Sequence, residues 1–113
     1  MSTNQFVNLT PHKITMRTAG WDIEIPASGQ IARVTEKISN AGMLNGIPVV
    51  NCKLGQVTNL PEPTKDTIYI VSPMVLGAIK NRFDVVAPDT GPESAIRDAD
   101  GNIIAVKRFR QMA

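Results

Sequence analysis

His12 and Cys52 are the one imidazole and the one thiol in this chain of 113 residues. Neither a zinc ribbon nor a histidine cluster can be assembled from a single copy. Asp98-Ala99-Asp100-Gly101 begins like a calcium loop but lacks the later ligands, and reads as a hairpin turn. Asp89-Thr90-Gly91 could present a carboxylate for aspartyl hydrolysis. Too little chain follows to build a flap and closing strands, and Pro92 stands where a small residue belongs, so turn chemistry is the better reading. Glycine-rich phosphate loops are absent. Nucleophilic catalysis requires a base beside a hydroxyl or thiol, and His12 is the one imidazole for that task. Its other readings are a donor to a bound anion, or a residue that fixes the turn at Thr10-Pro11. No catalytic residue, metal or cofactor is assigned.

What remains is binding chemistry. Arg33, Arg82 and Arg97 each stand among apolar or turn residues, where a guanidinium needs a carboxylate or a ligand phosphate. Asp84 and Asp98 lie near Arg82 and Arg97 in sequence. Arg33 shares its predicted strand face with Thr35 and Lys37, which makes it the foremost ligand contact of the three. Ser72 precedes Pro73 at a strand-to-helix junction and either caps the helix or faces an anion. Tyr69 or Trp21 could stack on a base. The candidate ligand set is Arg33, Arg82, Arg97, His12, Tyr69 and Ser72. Lys107, Arg108 and Arg110 form a basic end that suits either a phosphate or solvent.

Those residues must be positioned by short elements. Ile14 and Met16, then Trp21, Ile23 and Ile25, alternate with polar residues on either side of Thr18-Ala19-Gly20, an antiparallel hairpin with bases on one strand and acids on the other. A third strand is expected over residues 30–38. Residues 39–46 read as a loop, a candidate mobile segment over a site. A short strand through Ile47 to Cys52 carries Pro48 and belongs at an edge or bulge. Cys52 is expected in the core or half-buried. Thr67 to Ser72 is apolar enough for a central strand, and it feeds the one helix, about residues 72–81. A strand from Asp84 to Ala87 and a closing hairpin around residues 98–101 complete the chain.

Eight prolines, eight glycines and a 42% hydrophobic fraction suit one β-rich domain over residues 1–113. The expected fold class is β-rich α+β, either a small antiparallel barrel or a two-layer sheet with one short helix. The formal charge of +2 argues against a nucleic-acid polymer as partner. No apolar run is long enough for a bilayer, and the opening residues carry no signal-peptide pattern, so a cytoplasmic protein is expected.

The segments Asn8-Leu9-Thr10-Pro11-His12, Pro26-x-Ser28-Gly29, Gly46-Ile47-Pro48-Val49, Tyr69-Ile70-Val71-Ser72 and Arg82-x-Asp84 give the chain a resemblance to short, uncharacterised proteins of phage and prophage genomes. The resemblance implies a viral context and transfers no activity. Small phage proteins often act by binding, which by analogy suggests a homo-oligomer that sequesters a phosphorylated or nucleotide-derived signal molecule in the host cytoplasm without turning it over. The alternatives are a protein-interaction module, as host-enzyme inhibitor or virion accessory, and a metal-free nucleotide hydrolase.

Overall fold

Short runs of alternating apolar and polar residues become ten strands and one helix in the computed structural model, which describes residues 4–112. Met1 to Thr3, part of the opening on which a leader was judged absent, lie outside the described residues. The elements are β1 (Gln5–Asn8), β2 (Ile14–Thr18), β3 (Trp21–Ile25), β4 (Arg33–Leu44), β5 (Ile47–Thr58), β6 (Thr67–Ile70), α1 (Pro73–Gly77), β7 (Val85–Pro88), β8 (Ala95–Arg97), β9 (Ile103–Val106) and β10 (Phe109–Arg110).

They form two open four-stranded sheets, β1-β6-β7-β10 and β3-β2-β9-β8, and a separate two-stranded ribbon, β4-β5. The β-rich two-layer arrangement is observed and the barrel is not. The sheets are also mixed rather than purely antiparallel. β1, β6 and β7 run parallel, and β2 meets β9 in parallel. Parallel neighbours need a crossover, and α1 is the crossover between β6 and β7, so it lies on a face of their sheet.

The alternation within β6 and β7 divides the interior in two. Tyr69, Val85 and Ala87 face Val75, Leu76 and Ile79 of the helical segment, together with Leu9 and Ala32. Ile70 faces the other way, toward Met16, Ile25 and Val106 of the second sheet, with Val86 and Phe109 packed alongside. The first sheet is therefore covered on both sides, as the apolar run at Thr67 to Ser72 requires.

The helix is shorter than expected. Ser72 Oγ accepts from Val75 N at 3.3 Å, and Pro73 occupies the first turn, where its missing N–H is harmless. Beyond Gly77 the ladder tightens, Ala78 N donating to Val75 O and Ile79 N to Leu76 O, both at 3.0 Å. Such three-residue bonds close a helix end. Asn81 then takes a positive φ of 60°, so residues 78–81 leave the helix.

The largest departure from expectation is the β4-β5 ribbon. Residues 39–46 do not form a loop: β4 runs to Leu44, and Asn45 and Gly46, with φ of 49° and 80°, make a two-residue turn. Positive φ at both central positions is the hairpin geometry that Asn-Gly favours. Cys52, expected inside, is exposed on β5. Twelve residues per strand at about 3.3 Å each give an arm of about 40 Å. Correspondingly, the radius of gyration is 16.6 Å. A compact chain of this length would have about 13 Å.

The body is tied together by Asn8. It is buried, and its amide makes four hydrogen bonds. Nδ2 donates to His12 O at 2.9 Å and to Ile25 O at 3.1 Å. Oδ1 accepts from Thr10 N at 3.0 Å and Thr10 Oγ1 at 2.6 Å. One side chain thus joins the end of β1, the turn after it and the end of β3 in the other sheet. Asn8→Ala should destabilise the fold by about 2–4 kcal/mol, because removing one partner strands the buried groups it served. Urea unfolding at unchanged slope measures this. Asn8→Asp should not restore stability, since a carboxylate would face two carbonyl oxygens; a loss well under 1 kcal/mol in either variant contradicts the role.

Candidate functional site

Three loops and strand ends converge beside α1 to form a cleft of about 240 Å³. Leu9, Ala32 and Val75 supply its apolar floor, and Thr10, Arg33 and Ser72 its polar groups. The local sequence explains the assembly. Leu9 N donates to Ile70 O, continuing the β1–β6 pairing, and Ala32 N donates to Leu9 O at 3.0 Å. These bonds bring the base of β4 against the turn after β1, while Ser72 arrives at the end of β6.

Two of the six residues singled out from sequence, Arg33 and Ser72, meet in this cleft. Arg33 is exposed at the first position of β4, and among the described residues it has no ion-pair or hydrogen-bond partner. It is paired with Thr58 in register, on the same side of the ribbon as the Lys37–Lys53 pair. Ser72 Oγ accepts a capping bond from Val75 N, and its own proton remains free to donate. Neither carboxylate nor imidazole nor thiol lines the cleft.

The other four are placed elsewhere. Tyr69 is 4% exposed, packed in the core, with its hydroxyl 3.0 Å from Thr64 Oγ1; the ring has no free face for stacking. Trp21 is exposed on β3. Arg82 is engaged: Nε and Nη2 hold both oxygens of Asp84 at 2.8 and 2.9 Å, and Nη2 also reaches Pro61 O at 3.0 Å. That fork ties the Leu60–Thr64 connector to the start of β7. Arg97 Nη1 donates to Gly101 O at 2.6 Å, closing its own hairpin turn. The ring of His12 is exposed, and only its backbone carbonyl takes part in the Asn8 knot.

The remaining chemical motifs resolve into architecture. Asp89 Oδ1 accepts from Gly91 N at 3.0 Å, and its other oxygen is held by Arg108 Nε, joining the end of β7 to the residue before β10. Asp98 Oδ1 accepts from Asp100 N and Asn102 N, an Asx-type turn. No group of three metal-ligating side chains gathers among the described residues. The Cys52 thiol donates to the Glu36 carboxylate, and that neighbour pushes its pKa up, away from thiolate chemistry.

A second, larger cleft of about 360 Å³ was not anticipated from sequence. It runs between β2 and β9, with Thr90 and Pro88 at one side. Its one cation, Lys13, already pairs with Glu24 at 3.3 Å. The signal that could have found it is the apolar run Ile103 to Val106, of which Ile103 and Ile104 are exposed.

Comparison with protein-family models, with curated proteins and with solved structures returned no match to this chain. No helix among the described residues is long and apolar enough to cross a membrane.

The ion pairs predict an acid response. The Arg82 fork holds the Asp84 carboxyl below its ordinary pKa, and Arg108 does the same for Asp89. A carboxyl depressed in the folded state stabilises fully above its unfolded value, about 3.9, and that stabilisation is lost as pH falls through the folded value. Melting temperature should therefore fall steeply on acidification below about pH 4. Asp84→Asn should melt lower at neutral pH and lose part of the acid dependence; an unchanged acid slope in that variant would remove the pair from the account.

Proposed function

We propose that this chain is a small-ligand-binding protein that holds a phosphorylated or nucleotide-like molecule in the cleft at Arg33 without converting it. The observation that carries the reading is Arg33 itself. It is a guanidinium without a protein partner at the mouth of an apolar-floored cleft, flanked by the Ser72 hydroxyl. A phosphate offers a guanidinium two parallel charge-assisted hydrogen bonds, and an apolar floor suits the sugar or base attached to it. Capture without turnover is supported by the lining, where an anion holder and hydroxyls stand without an acid–base group beside them. Such a binder suits the phage context that the sequence resemblance implies, where trapping a nucleotide-derived signal would need affinity and no chemistry. A second reading, a protein-interaction module, is favoured by the bare apolar face of the arm.

Calorimetry against cyclic nucleotides, ADP-ribose derivatives and inorganic phosphate tests the proposal. Binding to at least one, with ligand recovered unchanged after denaturation, is the expected result. Arg33→Ala should weaken that binding about 10–100-fold, from loss of about 1.5–3 kcal/mol of charged hydrogen bonding. Arg97→Ala, away from the cleft, should leave it unaltered. No heat from any of them at high protein concentration, or equal affinity in the Arg33 variant, would overturn the assignment.

A further inference from the structure

We infer that the apolar face of the β4-β5 arm is an interface, and that its occupant is the same face of a second copy of this chain. The inference does not depend on the Arg33 cleft.

The register separates the two faces of the ribbon. Leu54, Ile38, Cys52, Val50, Met43 and Pro48 follow one another along one side, through the cross-strand pairs Glu36–Leu54, Ile38–Cys52, Asn40–Val50 and Met43–Pro48. The opposite side carries Lys37 against Lys53 and Ser39 against Asn51, with the exposed pair Leu44–Ile47 at the tip. The apolar side is an outward continuation of the core, since Val34 and Val57 at the base pack against the cluster beneath α1. Past them the cover ends, leaving Ile38 53%, Val50 56% and Met43 63% exposed. A two-stranded ribbon is marginal on its own in water, and soluble monomers rarely carry a long bare apolar strip.

The chemistry of the two sides selects the occupant. In a two-fold antiparallel contact the lysine side would bury the Lys37–Lys53 ammonium pair of each copy against the other's tip, which the cost of desolvating unpaired charges disfavours. Meeting through the apolar side brings together two strips with a single charge each, Glu36, located near the base. In a two-fold antiparallel arrangement the base of one arm lies over the tip of the other, so the two Glu36 carboxylates stay apart. The exposed apolar area on this side is on the order of 500 Å² per copy, so the pair excludes on the order of 1,000 Å², the size at which specific interfaces begin. A strip so lacking in charge asks no complementary charge of its partner, which an identical strip meets.

Full-length protein examined by sedimentation equilibrium and native mass spectrometry at tens of micromolar should show an even number of copies. The double variant Ile38→Lys, Val50→Lys should have half that mass or less, with the circular dichroism and melting of the body retained, because neither residue contributes to the core clusters. Amide exchange gives an independent reading: arm amides should be protected in the parent protein, more so at higher concentration, and fast in the variant. A monomeric parent at these concentrations overturns the inference, whether its arm is free or serves a different protein. An unchanged mass in the folded variant overturns it as well.

Discussion

An amide with two donors and two acceptors is buried at Asn8, and all four positions are used. Side-chain packing between the two sheets fixes their distance but tolerates sliding. The Asn8 knot supplies direction. By bonding Ile25 O at the end of β3 and His12 O before β2, it sets how the first hairpin leaves β1 and crosses to the second sheet. Leu9, next in sequence, continues the β1–β6 pairing and receives Ala32 N, which seats the base of the arm. The cleft at Arg33 therefore exists because a turn five residues long is held in one shape. The Asn-Leu-Thr-Pro-His segment has this architectural role.

The arginines sort themselves by the same logic of satisfied neighbours. Arg17 meets Asp22 across the β2–β3 hairpin, an exposed pair that contributes little by itself. Arg82 and Arg108 do more, since the Arg82 clamp joins Asp84 to Pro61 O and the Arg108 clamp joins Asp89, after β7, to the start of β10. Ser94 completes the second clamp: its hydroxyl accepts from Lys107 N and Arg108 N, bridging the gap where the chain leaves β9 for β10 in the other sheet. With Arg97 held by Gly101 O, the cations left without a side-chain partner among the described residues are Arg33, Lys37 and Lys53 along one side of the arm and Lys65, Lys80, Lys107 and Arg110 on the body. Arg33 is the member that adjoins a cleft, which is why the ligand reading narrows to it.

Local patterns were legible wherever one short segment carried the whole signal. The β2–β3 hairpin and its cross-strand pairs follow from period two around a glycine turn, and the Ser72-Pro73 helix start from capping chemistry. The long-range pairings were not legible. β1 is four residues, and its parallel partner lies some sixty residues further along, so nothing nearby in sequence announces it. Side-chain type does not reveal which face of a central strand a helix covers, so Tyr69 reads in sequence as a stacking ring and in the structure packs in the core. Adjacency in sequence leaves the geometry of Arg82 and Asp84 undetermined, and the fork between them is a property of the folded chain. In the arm, asparagine and glycine content makes residues 39–46 read as a loop. Asn45-Gly46 alone is the turn, and Gly42, with φ of 96°, marks a bulge within the ribbon.

Period-two alternation states that one face of a strand must be covered, and it says nothing about what covers it. In β2 and β3 the demand is met within the chain at one end, where Met16 and Ile25 close onto Ile70 and Val106, while Trp21 and Ile23 stay exposed. In β4 and β5 the same pattern begins inside, at Val34 and Val57, and then runs out past the edge of the body. A bulge sits on each side of this transition, between Val34 and Glu36 and between Asn40 and Met43. Bulges bend and twist a ribbon without breaking its faces, so they can aim an arm while preserving its apolar side. At the first of them Gly55 is required for space, because a Cβ there would run into Thr35 Oγ1. The chain thus maintains the geometry of an extension that it cannot cover itself, and the physical content of the arm lies in that unmet cover.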